Sequence, residues 1–230
     1  MLLNCRVAHE SQCLLFACTA SALTSKWHGE GEKLVRTLFR VASDVAPSII
    51  FVDEMDALLS SRKADEHEAS RRFKTEFMIQ LDGIRGSGNE SHVLVVACTN
   101  CPWDVDDAVM RRFPRRIYVP LPDPNARHGL ITSLLKKAGA HELTTSDVSK
   151  VVQKTEGFSC SDISSIASEA SFEPLRSLGG IDAIRDVRSQ DVRPISLRDF
   201  DMAIQHSSKS VTPSLLAKYK QWEQQQAASS

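Results

Sequence analysis

Two adjacent carboxylates follow an unbroken apolar run near the middle of the N-terminal half of the chain. The segment Ile49–Val52 leads directly into Asp53 and Glu54. A short run of apolar, partly β-branched residues predicts a strand that is buried on both faces, as in a parallel sheet covered by helices. At the carboxyl end of such a strand an Asp can hold Mg²⁺ and a Glu can polarise an attacking water. A plainer interpretation stays open, in which both acids simply begin the next helix at its positive dipole end.

A second apolar run and an arginine pair supply further polar groups. Val93–Ala97 predicts another buried strand, and Asn100 follows its end. Acid, base and an amide that orients water form the kind of constellation that surrounds a nucleotide phosphate. Arg111 and Arg112 precede a third predicted strand over 116–119. From there they reach the phosphate site of their own sheet poorly, but they could reach that of a neighbour in a ring.

The order of the elements predicts an α/β domain followed by a helical one. Strands over 14–18, 49–52, 93–97 and 116–119 alternate with helical apolar patterns, which is typical of a doubly wound layer. The two prolines of Leu121–Pro124 mark the best boundary, so we predict domains over 1–122 and 123–230. The second part shows no convincing strand. One predicted helix begins at Thr144, Thr145 or Ser146, and two others begin at Ser159 and at Thr212-Pro213.

Composition limits the class of protein. The 230 residues are 42% hydrophobic and 25% charged with a formal net charge of −1, so a large core is possible and no global basic field favours nucleic acid. Cys98 and Cys101 form a C-x-x-C without a second pair or a His pair, which disfavours zinc or redox chemistry. Neither a signal peptide nor a membrane-spanning stretch is evident, and we expect a soluble intracellular protein.

Several motifs in sequence order resemble one family of ATPases over nearly the whole chain. They resemble the ATPase module of the meiotic clade of AAA proteins, in particular the microtubule-severing type (spastin, fidgetin and katanin). The endosomal-sorting ATPases of the same clade have a similar spacing and remain an alternative. The motifs are SKWHGEGEK (25–33), IIFVDEMDALLSSR (49–62), EHEASRRFKTEF (66–77), CTN (98–100), AVMRRFPRRIYVPLP (108–122), GFSCSD (157–162) and SVTPSLLAKYKQW (210–222).

The resemblance implies a role for each candidate residue at the sheet. Asp53 would be the acid that organises Mg²⁺, and Glu54 the base that activates water against the γ-phosphate of ATP. Asn100 would orient that water. Arg111 and Arg112 would act in trans on the ATP of the neighbouring subunit, since the family works as a ring, generally a hexamer.

The resemblance also implies surfaces that grip a polypeptide in the central pore. Lys26, Trp27 and His28 would form the first pore loop. The second would include His67, Arg71 and Arg72, although Arg71 and Arg72 could equally be solvated helix charges. Trp27 could instead anchor a core, but its Lys, His and Gly neighbours favour an exposed loop. Acidic tubulin tails would be the partner, which places the protein in the cytoplasm at the microtubule cytoskeleton, with the nucleus as a second possible compartment.

The resemblance places the adenine beside the helical domain. The residues implied to lie there are Gly157, Ser159, Cys160 and Ser161. Cys160 stands where the family usually has Gly, and Cys101 replaces an Arg that usually follows the sensor Asn. Both departures are expected to weaken the nucleotide site modestly.

The phosphate loop of the family, G-x-x-x-x-G-K-T, does not occur in the sequence. Alignment of residues 2–8 with the helix after that loop places Met1 at its Thr position, so the first strand and the loop are missing from the predicted sheet. Two explanations are open: the sequence is a piece of a longer protein, or nucleotide binding has been lost and the chain is a non-hydrolysing scaffold subunit. The joint presence of Glu54, Asn100 and the arginine pair favours the first. In either case we expect the 230-residue chain alone to bind ATP weakly and to be inactive.

Overall fold

The computed structural model describes residues 10–19, 31–59, 68–86, 92–178 and 192–228. The predicted pore residues Lys26, Trp27, His28 and His67 lie outside these ranges. The chain divides into two compact units, Met1–Ile117 and Tyr118–Ser230, whereas the sequence predicted a boundary at 122/123. Each unit is described by itself.

Unit 1 is a parallel sheet with helices packed against it, and the predicted α/β class is confirmed. Its strands pair in the order β1-β2-β3, with Leu14 opposite Ser48 and Ser48 opposite Val93. The elements are β1 (Leu14–Thr19), α1 (Gly31–Asp44), β2 (Ser48–Asp53), α2 (Met55–Leu59), α3 (Glu68–Gly86), β3 (Val93–Ala97), a 3₁₀ helix (Pro102–Asp104) and α4 (Asp107–Met110).

The central strand β2 is the most buried, because it has a neighbour on each side. Residues 48–52 are all buried, as the uninterrupted apolar run predicted. The core continues into α1 and α3, where the Phe39 and Phe77 rings meet edge to face at 5.5 Å between centroids. Strand β1 is less buried than β2, and its residue Leu14 is 57% exposed.

The predicted strand over 116–119 is absent, and this prediction was wrong. Residues 113–120 have no regular secondary structure, and the side chains of Ile117 and Val119 are 85% and 69% exposed. Alternating apolar residues form a strand only where a neighbouring strand supplies hydrogen bonds. Among the described residues the sheet contains β1, β2 and β3, and none of them pairs with this segment.

Unit 2 is helical, as predicted. Its helices are α5 (Pro124–Ala138), α6 (Thr145–Lys154), α7 (Cys160–Arg176), α8 (Leu197–His206) and α9 (Pro213–Ala228). Two of the predicted caps are capping boxes, Thr144 with Asp147 and Ser159 with Asp162. The core includes Ile131, Val151, Ile166 and Phe200. Arg127 is buried and donates to the carbonyls of Pro122 and Val152, so its guanidinium joins α5 to the end of α6.

No helix in the described part of the chain is both long enough and apolar enough to cross a lipid bilayer.

Candidate functional site

The two predicted site acids lie at the carboxyl end of the central strand. Asp53 is the last residue of β2 and is partly buried, whereas Glu54 is exposed. The backbone N–H of Glu54 donates to Asp53 Oδ1 over 3.0 Å, which fixes the Asp53 carboxylate against the turn. Within the described ranges no hydrogen bond reaches Oδ2. One carboxylate oxygen of Asp53 is thereby held by the backbone of the turn.

Glu54 has a backbone conformation that is unfavourable for a residue with a side chain. Its φ is +54°, in the left-handed region. For a residue other than glycine this conformation costs roughly 1–2 kcal/mol. The turn connects β2 to α2, whose Ala57 N–H donates to the Glu54 carbonyl over 3.0 Å. Strain of this kind is concentrated at functional sites, so it supports a chemical role for Glu54 over a merely structural one.

Backbone hydrogen bonds bring Asn100 to the same edge of the sheet. The Cys98 N–H donates to the Val52 carbonyl, and the Met55 N–H donates to the Cys98 carbonyl, both over 2.9 Å. The loop that carries Asn100 therefore starts beside the turn at Asp53 and Glu54. Asn100 itself is exposed. The structure thus places Asp53, Glu54 and the loop that carries Asn100 at the same edge of the sheet.

A partly buried hydrogen bond that the sequence did not reveal holds the loop of Asn100 in place. The Thr99 hydroxyl donates to the carboxylate of Asp56 and accepts the Cys101 N–H over 3.0 Å. Asp56 belongs to α2, so the hydroxyl ties the loop after β3 to the helix after β2. No spacing rule links residues 43 positions apart. The only sequence signal was a hydroxyl residue directly before Asn100.

The two candidate arginines differ in their surroundings. Arg111 caps the C-terminus of α4, and it is exposed. Arg112 instead donates from Nε and Nη2 to both carboxylate oxygens of Asp82, over 2.8 and 2.7 Å, and from Nη1 to the Ala108 carbonyl over 2.9 Å. The Asp82 carboxylate raises the pKa of the Arg112 guanidinium above its ordinary value. Arg112 is therefore bound within its own subunit, to α3, while Arg111 projects from the surface.

The remaining unit 1 candidates lie near the start of α3. Arg71 and Arg72 are both exposed there.

Beside the sheet edge, burial and the charge of Asp53 raise the pKa of the Cys98 thiol. Among the described residues no group of three or more His, Cys, Asp or Glu side chains could hold a metal ion. A site with a single carboxylate suits Mg²⁺, which keeps waters and binds substrate phosphates.

The candidate residues of unit 2 surround the N-terminus of α7. Gly157 has φ +80°, and a Cβ placed there would lie 2.9 Å from the Lys209 ammonium, so the backbone and the neighbour both favour glycine. Ser159 is the N-cap of α7, and Cys160 and Ser161 form its exposed first turn.

A network around Asp162 holds this turn against the segment before α9. Its carboxylate accepts the Ser159 N–H and the Ser210 hydroxyl, each over 2.9 Å. Partial burial acts to raise the pKa of Asp162, but hydrogen bonds from Ser159 and Ser210 outweigh it and lower the pKa. Lys209 lies over the Phe158 ring, 5.4 Å from its centroid. Sequence reasoning missed Lys209 and Ser210, which lie about 50 positions from their partners in the chain.

Comparison with known proteins identifies the family. Residues 2–121 match the family described as "ATPase family associated with various cellular activities (AAA)", and residues 146–201 match the AAA+ lid domain. Spastin from Gallus gallus is 44% identical over 216 residues, which cover 94% of this chain and 35% of that protein. Spastin from Naegleria gruberi is 45% identical over 215 residues, covering 92% and 41%.

A solved structure shares the architecture. The crystal structure of the FIGL-1 AAA domain superimposes with a TM-score of 0.89 at 39% identity, covering 97% of this chain and 72% of that one. The same domain in complex with ADP gives a TM-score of 0.88 at 38% identity. The chain spans between about a quarter and two fifths of the length of the first curated spastins that it matches. The chain belongs to the AAA family of ATPases, and within it to the spastin- and fidgetin-like members.

Proposed function

We propose that this chain is a subunit of a ring-forming ATPase, a hexamer, that hydrolyses ATP to sever microtubules. The observation that supports this most is the sheet edge, where Asp53, a strained Glu54 and Asn100 converge. The likeness to spastins supports the choice of substrate.

The residues present fit a magnesium ion. Asp53 offers a hard oxygen ligand at the sheet edge, with Oδ1 held by the Glu54 N–H. Mg²⁺, when bound, neutralises charge on the β- and γ-phosphates. The protein fixes the Asp53 carboxylate that would hold the ion, because the backbone N–H of Glu54 donates to it within the turn after β2.

Glu54 and Asn100 would then act on the attacking water. Glu54 accepts a proton from the water as its oxygen attacks the γ-phosphorus, and the bond from that phosphorus to the bridging oxygen breaks to leave ADP. Asn100 accepts or donates a hydrogen bond that aligns the water for in-line attack. The Thr99–Asp56 bond limits movement of the loop that carries Asn100.

Arg111 would act in trans on the neighbouring subunit, and Arg112 would support it from within its own subunit. Arg111, which is exposed, is suited to reach the phosphates of a neighbouring subunit, and such arginines are worth on the order of 10³–10⁵ in rate. Arg112 would position α4 through Asp82 and act on Arg111 indirectly. This refines the prediction from sequence, in which both arginines were equivalent.

Other residues would contact the polypeptide substrate and the adenine. Lys26, Trp27 and His28 would grip acidic tubulin tails in the pore, with Arg71, Arg72 and His67 as the second loop. The turn formed by Gly157, Ser159, Cys160 and Ser161 would lie beside the adenine. The protein would work in the cytoplasm at microtubules.

A severing assay tests the proposed function. Because the sequence has no G-x-x-x-x-G-K-T, the test protein is this chain preceded by the phosphate-loop segment of a spastin relative, called here the loop-completed chain. We expect it to cut immobilised labelled microtubules in the presence of ATP and to stop when Glu54→Gln is introduced. ATP hydrolysis without severing would point to the endosomal-sorting type of disassembly ATPase instead.

The exposure of Arg111 favours a second candidate function. The chain would then be a scaffold subunit that contributes this arginine to a neighbour without hydrolysing ATP itself. Mixing the 230-residue chain with a spastin relative whose own trans arginines are replaced by alanine tests this. Restored ATP hydrolysis, lost again with Arg111→Ala, would support the scaffold function.

A further inference from the structure

A basic groove runs between helices α1 and α3. It encloses about 600 Å³ and is lined by Lys33, Arg36, Thr37, Phe39, Arg40, Ser43, Gln80, Gly83 and Ile84. Three of these residues are cations. Among the described residues that line the groove there is no carboxylate, although the chain as a whole has a net charge of −1. The positive charge is therefore a local feature.

The three cations share one face of α1. Lys33, Arg36 and Arg40 are spaced at i, i+3 and i+7, so they form a row about 10 Å long. Arg36 is fixed at the middle of the row, because Nε and Nη2 donate to the two carboxylate oxygens of Glu76 over 2.9 and 3.0 Å. Gln80 donates to the same carboxylate over 2.8 Å. Lys33 and Arg40 are exposed, and within the described ranges no ion pair involves either one.

A smaller groove, of about 390 Å³, is lined by Glu32, Arg71, Arg72, Thr75 and Glu76. Arg71 and Arg72 belong to the second pore loop proposed above. The cations of the larger groove are Lys33, Arg36 and Arg40, of which Arg36 is paired with Glu76.

We propose that this α1–α3 groove binds an acidic segment of polypeptide. The exposed donors of Lys33 and Arg40 suit the carboxylates of a glutamate- or aspartate-rich stretch, because hydrogen bonds between charged partners are among the stronger ones. Nucleic acid fits less well, because single strands need exposed aromatic faces for stacking. Phe39, the aromatic residue among the described lining, is 2% exposed. The inference goes beyond the proposed function, since binding here needs neither ATP nor a ring.

Binding of a labelled polyglutamate peptide to the whole 230-residue chain, followed by fluorescence anisotropy, tests the groove. The double charge reversal Lys33→Glu with Arg40→Glu is expected to weaken binding about tenfold or more, which corresponds to roughly 1.4 kcal/mol. The matched control is Arg198→Glu with Lys220→Glu, which changes the net charge equally at two exposed cations of unit 2 and is expected to leave binding unchanged.

A second variant fills the groove without changing its charge. A Cβ added at Gly83 meets no atom within 4 Å, so Gly83→Trp can occupy the groove from α3 without a backbone clash. It is expected to weaken polyglutamate binding while the urea-unfolding midpoint stays the same. Equal binding by the charge-reversal pair and its control would overturn the proposal. It would also be overturned if an RNA oligonucleotide displaced the peptide more effectively than polyaspartate does.

Discussion

Replacement of Arg112 should destabilise the protein more than replacement of its neighbour Arg111. Arg112→Ala removes a two-point ion pair with Asp82 in which the arginine is 27% and the aspartate 52% exposed. An ion pair this open is worth about 1 kcal/mol at most. The bond to the Ala108 carbonyl adds about 1 kcal/mol, so we expect Arg112→Ala to cost about 2 kcal/mol. Arg111→Ala, at an exposed position, should cost less than about 0.5 kcal/mol.

Hydrogen exchange of the buried β2 amides measures this difference within unit 1, because it reports the free energy of opening of the core. A double-mutant cycle with Asp82→Ala isolates the ion pair, and we expect a coupling of about 1 kcal/mol between Asp82 and Arg112. Arg112→Lys keeps the charge but not the two-point geometry, so it should recover less than half of the loss. A coupling indistinguishable from zero, or equal destabilisation by Arg111→Ala and Arg112→Ala, would refute the assignment of Arg112 as a positioning residue.

Three further predictions concern single turns and caps. Glu54→Gly should stabilise the chain by about 1 kcal/mol in urea unfolding, because it removes the cost of φ +54°. The same substitution should abolish ATP hydrolysis by the loop-completed chain. A Glu54→Gly variant that is less stable than the unmodified chain would contradict the assignment of backbone strain to Glu54. Gly157→Ala should cost about 1 kcal/mol or more, and adding Lys209→Ala should recover only the steric part of that loss, which the melting temperatures of the two variants would show. Hydrogen bonds from the Thr144 side chain and Lys150 lower the pKa of Asp147 to about 2, so its contribution is present above about pH 4 and is lost as the pH falls towards 2. The difference in melting temperature between the unmodified chain and Asp147→Asn should shrink over that window, and a difference that persists at pH 2 would count against the cap.

The sequence predicted those parts of the structure that depend on local patterns. The uninterrupted run at 49–52 gave a fully buried strand, and the hydroxyl–x–x–acid patterns at Thr144 and Ser159 gave capping boxes. The strand over 116–119 failed because an alternating pattern does not say whether a partner strand is present. The apolar residue Ile79 of α3 is 56% exposed, because burial depends on what packs against the helix.

The candidate site was likewise predictable from the sequence only in part. Convergence of Asp53 and Asn100 follows from strand order alone, because the carboxyl ends of parallel strands meet at one edge. The left-handed backbone at Glu54 and the Arg112–Asp82 pair could not be predicted, since both depend on tertiary geometry between segments far apart in the chain. The structure thereby distinguishes two arginines that are adjacent and identical in type.

Nucleotide binding by the 230-residue chain tests the expectation that this chain alone binds ATP weakly. A loop of backbone N–H groups and a lysine normally holds the phosphates, and the sequence has no G-x-x-x-x-G-K-T. We expect calorimetry to detect only weak Mg-ATP binding. Tight, Mg²⁺-dependent binding would mean that other residues hold the phosphates.

The most direct test of the central claim is the rate of ATP hydrolysis by the loop-completed chain with Glu54 intact and with Glu54→Gln, measured at saturating Mg-ATP. If Glu54 is the base that activates water, the substitution lowers the rate by about 10²-fold or more, since general bases contribute about 10²–10⁴, while Mg-ATP binding is retained. Hydrolysis by Glu54→Gln at the same rate as the unmodified protein would contradict the account.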